Sequence, residues 1–334
     1  MGPFESTQPG KIVAIHQGAL GDFLLALPIL EGLHRSYPKI RIDLWTRAEH
    51  LALLAEKPYV GKEPSPDDSE LAPFFHDELW RGAKIPRFLE GRLAILIFGQ
   101  AGSRVLAKRL SDRLPCPVQW VQSFPSPGSH QHVSRFLLEQ CRQLGWSIQE
   151  CLLELHPSPL EVSVARKYLQ QKEEISLTRP ILVHPGSGGL RKIWPLKHWW
   201  ALLRFLSGQY CYPVFLSLGP ADERLKDFAG EAQKLGAVLL EGLSLSRLAA
   251  FLSGCRVFIG SDSGVSHLAA LVGIPTVVIF GPTDPGIWGP RGPNVHILKE
   301  TWQEGEVLTW SQEPAPASLN PSLLERLNDL LPSQ

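Results

Sequence analysis

Three short segments combine small residues with groups able to move a proton or hold an anion. The first is His16-Gln17-Gly18-Ala19-Leu20-Gly21-Asp22, which follows one apolar run and opens a helical one. Gly18 and Gly21 are expected to let the backbone turn tightly, with Asp22 at the helix start. That carboxylate could cap the helix or serve as a general base, and the segment alone leaves both readings open. The second is His184-Pro185-Gly186-Ser187-Gly188-Gly189-Leu190-Arg191-Lys192-Ile193-Trp194-Pro195. Small residues, Ser187 and Gly188 among them, permit an anion to approach backbone N–H groups, and Lys192 adds a full charge. The pattern G-x-G-x-x-R is one glycine short of a dinucleotide fingerprint and lacks the Walker ending. Pro195 is expected at the first position of the helix that follows.

The third segment is Gly260-Ser261-Asp262-Ser263-Gly264-Val265-Ser266-His267, between an apolar strand and an Ala/Leu-rich helix. N–H groups bared at Ser263 and Gly264 would cradle a diphosphate, while plain capping by Asp262 is the alternative. His267, one turn into the helix, reads more readily as a packing histidine. Asp262 stands where a G-x-S-x-G nucleophile elbow needs serine, which excludes a serine hydrolase of that kind. Glu223, soon after Gly219-Pro220, could bind a ribose diol or simply be an exposed glutamate. Gly281-Pro282-Thr283-Asp284-Pro285 and Trp288 form a rigid loop expected to shape a site. His130 and His132 lack a third ligand for a metal, so no metal is expected. Arg104, Lys108 and Arg113 share a helix face expected to be solvated.

These segments must be held by strands and helices that alternate along the chain, the pattern of α/β domains with parallel sheets. In the first half Lys11–His16, Ile40–Thr46, Leu93–Phe98 and Val118–Val121 read as strands. A helix between the first two carries Leu24, Leu27, Leu30 and Leu33 on one stripe, and another spans Val133–Leu144. Gly61–Pro73, rich in Pro and acid, reads as a surface excursion, and Glu161–Gln171 as a linking helix. In the second half Ile181–His184, Val214–Leu218, Ala237–Leu240, Val257–Ile259 and Thr276–Phe280 read as strands, with Val295–Leu298 weaker. Helices start at Pro195 and span Leu245–Ser253 and Ser263–Val272. The expected organisation is two facing Rossmann-like domains, 1–165 and 166–334, with a cleft between them at the strand carboxyl ends.

Composition narrows the function classes. Among 334 residues, 33 basic and 33 acidic groups cancel, which excludes a strongly basic nucleic-acid footprint. Five scattered cysteines with no C-x-x-C spacing argue against a disulfide framework or zinc knuckle and fit a reducing compartment. No apolar run reaches the ~18–20 residues of a membrane span, and the first ten residues carry no apolar signal core. Met1–Ser6 formally matches a myristoylation pattern that Pro3 makes unattractive. A cytoplasmic protein is expected.

Taken together, GALGDFLLALPILEGLHRSYP, HPGSGGLRKIWPLKHW and SDSGVSHLAALVGIPTVVIFGPTDPGIWGP resemble the ADP-heptose:lipopolysaccharide heptosyltransferases of glycosyltransferase family 9, whose fold is GT-B. The resemblance runs from about Lys11 to Trp288. It implies an N-terminal acceptor domain and a C-terminal domain for the ADP-sugar. It matches Asp22 to the family's base, Ser187 and Lys192 to phosphate-binding positions, Ser263, Gly264 and Val265 to the diphosphate-binding helix start, and Glu223 to the ribose position. Members often carry an acidic residue in the third N-terminal strand where this chain has Leu96, and Gly61–Pro73 fits no family motif, so the acceptor half departs most. The implied function is inverting transfer of a sugar, heptose from ADP-heptose, to a lipopolysaccharide-core or related glycan acceptor. No metal or cofactor is expected, and work at the inner membrane surface is implied. A nucleotide-sugar 2-epimerase or a non-catalytic nucleotide-sugar-binding relative is the alternative, and the absent third glycine leaves a nicotinamide dehydrogenase weakest.

Overall fold

The computed structural model describes residues 9–61, 65–170, 179–310 and 319–332. Met1–Ser6, three residues within Gly61–Pro73, and Lys172–Thr178, where the polar turn between halves was expected, lie outside the described residues. The chain divides into two compact units, Met1–Leu153 and Glu154–Gln334.

The first unit is built on a parallel sheet in the order β2-β1-β3-β4, with β1 at Gly10–His16, β2 at Ile40–Trp45, β3 at Ala94–Gly99 and β4 at Val118–Gln122. Helix α1, Leu20–Ser36, buries Phe23–Leu27 and Ile29–Leu33. The single stripe expected from its leucines is too narrow, because α1 packs on the sheet and also against α4, Val133–Gln143. A short α2, Ala48–Ala52, follows β2. α3, Ala101–Ser111, follows β3.

Between α2 and β3 the chain makes 3-10 turns at Asp68–Glu70, Ala72–Phe75 and Arg87–Leu89. The excursion expected over Gly61–Pro73 is only partly on the surface. Leu71 is buried, and the chain beyond it drives Phe74, Phe88 and Leu89 into the core beside Val13, Ile15, Trp45 and Ile97. These irregular turns cover a sheet face that a helix would otherwise cover.

The second unit carries six parallel strands in the order β10-β9-β8-β5-β6-β7. They are β5 Ile181–His184, β6 Val214–Ser217, β7 Val238–Leu240, β8 Val257–Ser261, β9 Thr276–Phe280 and β10 Val295–Lys299. The strands β5, β6, β8 and β9 are buried along their whole length, as expected for a parallel sheet covered on both faces. α6, Leu196–Gln209, α7, Lys226–Lys234, and α11, Pro321–Leu330, pack Trp199, Phe228, Leu323 and Leu327 into one core. A helix between β6 and β7 is expected, but α11 is not. α8 spans Leu245–Gly254, α9 Gly264–Val272 and α10 Pro285–Trp288.

Helix α5, Pro159–Gln170, belongs to the second unit rather than linking the two. It lies on α8, with Tyr168 edge-on to Phe251 at 6.0 Å and Glu161 3.7 Å from Arg247. The unit boundary therefore falls at Leu153/Glu154, ahead of the expected 165/166. Among the described residues no helix is long and apolar enough to cross a membrane.

Candidate active site

In both sheets the strand order reverses beside the first strand of the unit. β1 sends the chain to β2 on one side and β3 on the other, and β5 is flanked by β6 and β8 in the same way. Loops leaving the carboxyl ends of strands at such a point diverge and leave a crevice. The three chemically suggestive segments leave β1, β5 and β8.

In the first unit, α1 begins at Leu20 with Ala19 as its N-cap, and no side chain caps it. Asp22 therefore sits in the first turn and is not the cap. A Cβ on Gly18 would lie 2.8 Å from Cε1 of His16 and 3.3 Å from both Cβ and Oδ2 of Asp22. The carboxyl thus folds back over Gly18, which must stay bare because the backbone is approached so closely. Tight turning is not its role: neither Gly18 nor Gly21 has positive φ, and Gly21 is helical.

His16 lies beneath this turn, 4% exposed, with Phe23 edge-on at 5.5 Å. Burial, with the neighbouring His50 and Arg47 charges, lowers its pKa from 6.5 to about 4. His50 stacks on Phe23 at 4.8 Å and is likewise lowered by burial and by Arg47, to about 4. Both imidazoles are neutral at pH 7. Gln17 turns outward and donates through Nε2 to Oδ1 of Asp68 at 2.8 Å, an atom that also accepts from Nε1 of Trp45 at 2.9 Å.

In the second unit, pairing of β5 with β8 brings the loops after both strands together. The Ser187 hydroxyl donates to the Asp262 carbonyl at 2.7 Å, and Ser261 donates to the Pro185 carbonyl at 2.7 Å. Nζ of Lys192 lies 3.0 Å from Oδ2 of Asp262, which also accepts the Thr283 hydroxyl at 2.6 Å. Asp262 is therefore not the cap of α9. Ser263 is, accepting from the Ser266 N–H at 3.4 Å. Gly264 and Val265 open the helix half-exposed, whereas Ser187, Ser263 and His267 are buried and Gly188 is exposed. Pro195 is the N-cap of α6, one position earlier than expected.

Asp222 and Thr283 carry structural work here that the sequence reading did not assign. Oδ2 of Asp222 accepts from the Gly219 N–H at 2.7 Å and lies 4.0 Å from Nε2 of His184. Burial lowers the His184 pKa, with Asp222 opposing, and Nδ1 lies 2.9 Å from the Ser217 carbonyl. A Cβ on Gly186 would overlap the Asp222 carboxyl. The buried Asp222 thus backs the Gly186–Gly189 loop from beneath. The usable signal was the Gly-Pro-Ala-Asp start after β6, a helix-capping pattern. Its neighbour Glu223 is exposed on the 3-10 turn Pro220–Leu225 and pairs with Lys226 at 2.8 Å.

The remaining expected features resolve locally. His132 caps α4, its Nδ1 accepting from the Ser134 N–H at 3.2 Å. Arg104 and Arg113 are not merely solvated. Arg104 lies 5.5 Å from the Trp120 ring, and Arg113 donates to the Trp80 and Ala83 carbonyls at 2.6 and 2.9 Å. Leu96 is wholly buried in β3.

The family model of glycosyltransferase family 9 (heptosyltransferase) matches residues 131–312. Lipopolysaccharide heptosyltransferase 1 of Pseudomonas aeruginosa is 34% identical over 148 residues, 42% of this chain and 40% of that protein. The chain thus spans about two fifths of the length of that relative. Lipopolysaccharide heptosyltransferase 3 of Escherichia coli is 24% identical over 303 residues, 82% of this chain and 84% of that one. The structure of Escherichia coli ADP-heptose lipopolysaccharide heptosyltransferase II superposes with a TM-score of 0.71 at 20% identity, covering 96% of this chain and 98% of that chain. That likeness shows the fold, GT-B. With the family match extending over more than half of the sequence, the chain belongs to glycosyltransferase family 9, the heptosyltransferases.

Proposed function

We propose that this chain transfers heptose from ADP-heptose to a lipopolysaccharide-core or related glycan acceptor, with inversion at the anomeric carbon. The observation that carries the reading is the meeting of Ser187, Lys192, Asp262 and the α9 start at the β5/β8 reversal, a concentration of donors and positive charge suited to a diphosphate. Lys192 is about a third exposed, whereas the Asp262 carboxylate it pairs with is buried. A bound diphosphate would compete with Asp262 for this lysine. Thr283 remains as a donor to Asp262 when the lysine turns away.

In the proposed step the acceptor hydroxyl oxygen attacks the anomeric carbon and Asp22 takes its proton. The bond from that carbon to the ADP oxygen breaks, its electron pair leaving on the diphosphate. Lys192, Ser187 and the N–H groups at Ser263, Gly264 and Val265 stabilise that charge, with no metal assigned to the step. Glu223 is assigned to the ribose, for which it would leave Lys226. The chain is expected to work in the cytoplasm, against the inner membrane surface where lipid-linked acceptors lie.

A thermal-shift panel of ADP, UDP, GDP and their sugars, followed by product analysis, tests the donor class. Ligands that bind the folded state raise the melting temperature with occupancy, so ADP and ADP-heptose are expected to stabilise most. A preference for UDP or GDP, or epimerised sugar formed without acceptor, would remove this reading.

A further inference from the structure

The residues that follow β10 turn back onto the loops assigned to the diphosphate. We propose that Trp302 is a positioning residue of that site, holding the turn that carries Lys192 against the loop that carries Thr283. This rests on the assignment of Lys192 to the diphosphate. It adds the group that keeps the lysine in place.

In the sheet, β9 and β8 lie between β10 and β5. Parallel pairing sets Lys299 beside Phe280, so β9 and β10 end together, and the Glu300 N–H donates to the Phe280 carbonyl at 2.8 Å. From there side chains reach the loops after both β9 and β5. Nζ of Lys299 donates to the Gly281 carbonyl and, at 2.6 Å, to that of Thr283. Oε2 of Glu300 accepts from Nε1 of the buried Trp194 at 2.9 Å. Trp302 meets both loops at once. A Cβ on Gly281 would overlap its ring, and its Nε1 donates to the Arg191 carbonyl at 3.0 Å.

That carbonyl belongs to the peptide unit joining Arg191 to Lys192. The other end of the unit, the Lys192 N–H, donates to the Gly189 carbonyl at 2.9 Å and closes the 3-10 turn Leu190–Lys192. The peptide plane in front of Lys192 is therefore pinned on both sides, and rotating it would break the indole bond. This plane sets the direction in which the lysine leaves the backbone. Its Nζ lies 3.0 Å from Asp262, the carboxylate that Thr283 also reaches. Lysine sits on a flexible stem, so a fixed starting point lowers the cost of ordering it on a ligand. The indole has a single donor and no acceptor, which makes its N–H the atom to remove. The returning segment has other anchors, since the Leu196 N–H donates to the Val307 carbonyl at 2.9 Å and Glu300 holds Trp194.

The test compares wild type, Trp302→Phe, Lys192→Ala and the double variant, each titrated by calorimetry with ADP and with inorganic pyrophosphate. Phenylalanine keeps an aromatic ring beside Gly281 and removes the N–H. Trp302→Phe is expected to retain the circular dichroism spectrum and to raise both Kd values about three- to tenfold, the usual effect of one hydrogen bond. In the Lys192→Ala background the same substitution is expected to change Kd by less than about twofold, because its effect passes through the lysine. An equal loss in both backgrounds would make Trp302 a structural prop alone and overturn the proposal, as would no wild-type affinity for either ligand. An unchanged Kd in Trp302→Phe with Lys192→Ala weakened would overturn this inference and leave the phosphate assignment standing. Hydrogen exchange of the ligand-free protein gives a second reading. Peptides covering Leu190–Lys192 are expected to exchange faster in Trp302→Phe, and unchanged exchange there would also overturn the proposal. A wild-type preference for UDP or GDP would strike the proposed donor instead, while the pyrophosphate titrations would still decide the role of Trp302.

Discussion

At the residue scale, two charged groups bear the proposed chemistry and two imidazoles bear a stability cost. Asp22→Asn leaves the shape of the Gly18 turn and its helix intact. Turnover is expected to fall about 10²–10⁴-fold, the usual loss of a general base, with ADP affinity by calorimetry unchanged. Full turnover would remove Asp22 from the reaction. Lys192→Ala removes a charge-assisted partner of the diphosphate and is expected to cost about 1.5–3 kcal/mol, roughly ten- to hundredfold in ADP Kd. An unchanged Kd would contradict the phosphate assignment.

His16 and His50 give a pH prediction with a definite sign. Their folded pKa values, about 4, lie below the ordinary 6.5. Between those values the unfolded chain binds protons that the folded chain refuses, so stability falls as pH drops from 6.5 towards 4 and is unaffected by these groups above that range. The buried His16 alone accounts for about 2–3 kcal/mol of that loss. Urea midpoints measured across the window check it, and a His16→Phe variant should show a shallower fall. A flat profile in the wild type would mean that these rings do not titrate as described.

At the scale of elements, the loops after β5 and β8 act as one body because the strands beneath them are paired. Gly186 is needed there for closeness rather than for handedness. Gly186→Ala places a methyl group against the Asp222 carboxyl, and overpacking of that kind costs about 1–3 kcal/mol. The expected result is a lower melting temperature together with weaker ADP binding, because the same loop carries Ser187. Gly188→Ala, which meets nothing within 4 Å, is the control and should melt as wild type. This distinction was not legible in the sequence, where Gly186 and Gly188 look alike. It depends on Asp222, 36 residues further on, coming to lie under one of them.

At the scale of the molecule, each unit owns a core, and the boundary between them decides which fragments can stand. A fragment of 154–334 retains α5 over α8, whereas one starting at residue 166 loses most of that helix and uncovers Phe251 and its neighbours. The longer fragment is expected to unfold cooperatively and bind ADP, and the shorter to melt at a lower temperature. Equal melting of the two fragments would show that α5 adds nothing to the second unit.

The sequence by itself determined the alternation of strands and helices, the strand positions to within a residue or two, and the three loops worth watching. These follow from local rules: apolar runs bounded by turn residues, helical spacing, and small residues after strands. What it could not determine was set by contacts between distant residues. Strand order decided that Ser187 and Asp262 meet, and their meeting decided that Asp262 holds Lys192 while Ser263 caps α9. The 3-10 turns that bury Phe74 and Phe88 were likewise invisible, because they have no period and are held in place by distant partners, the sheet they cover and Arg109 of α3. A side chain's role in this protein depends on which neighbour satisfies it, and that neighbour is chosen by the fold.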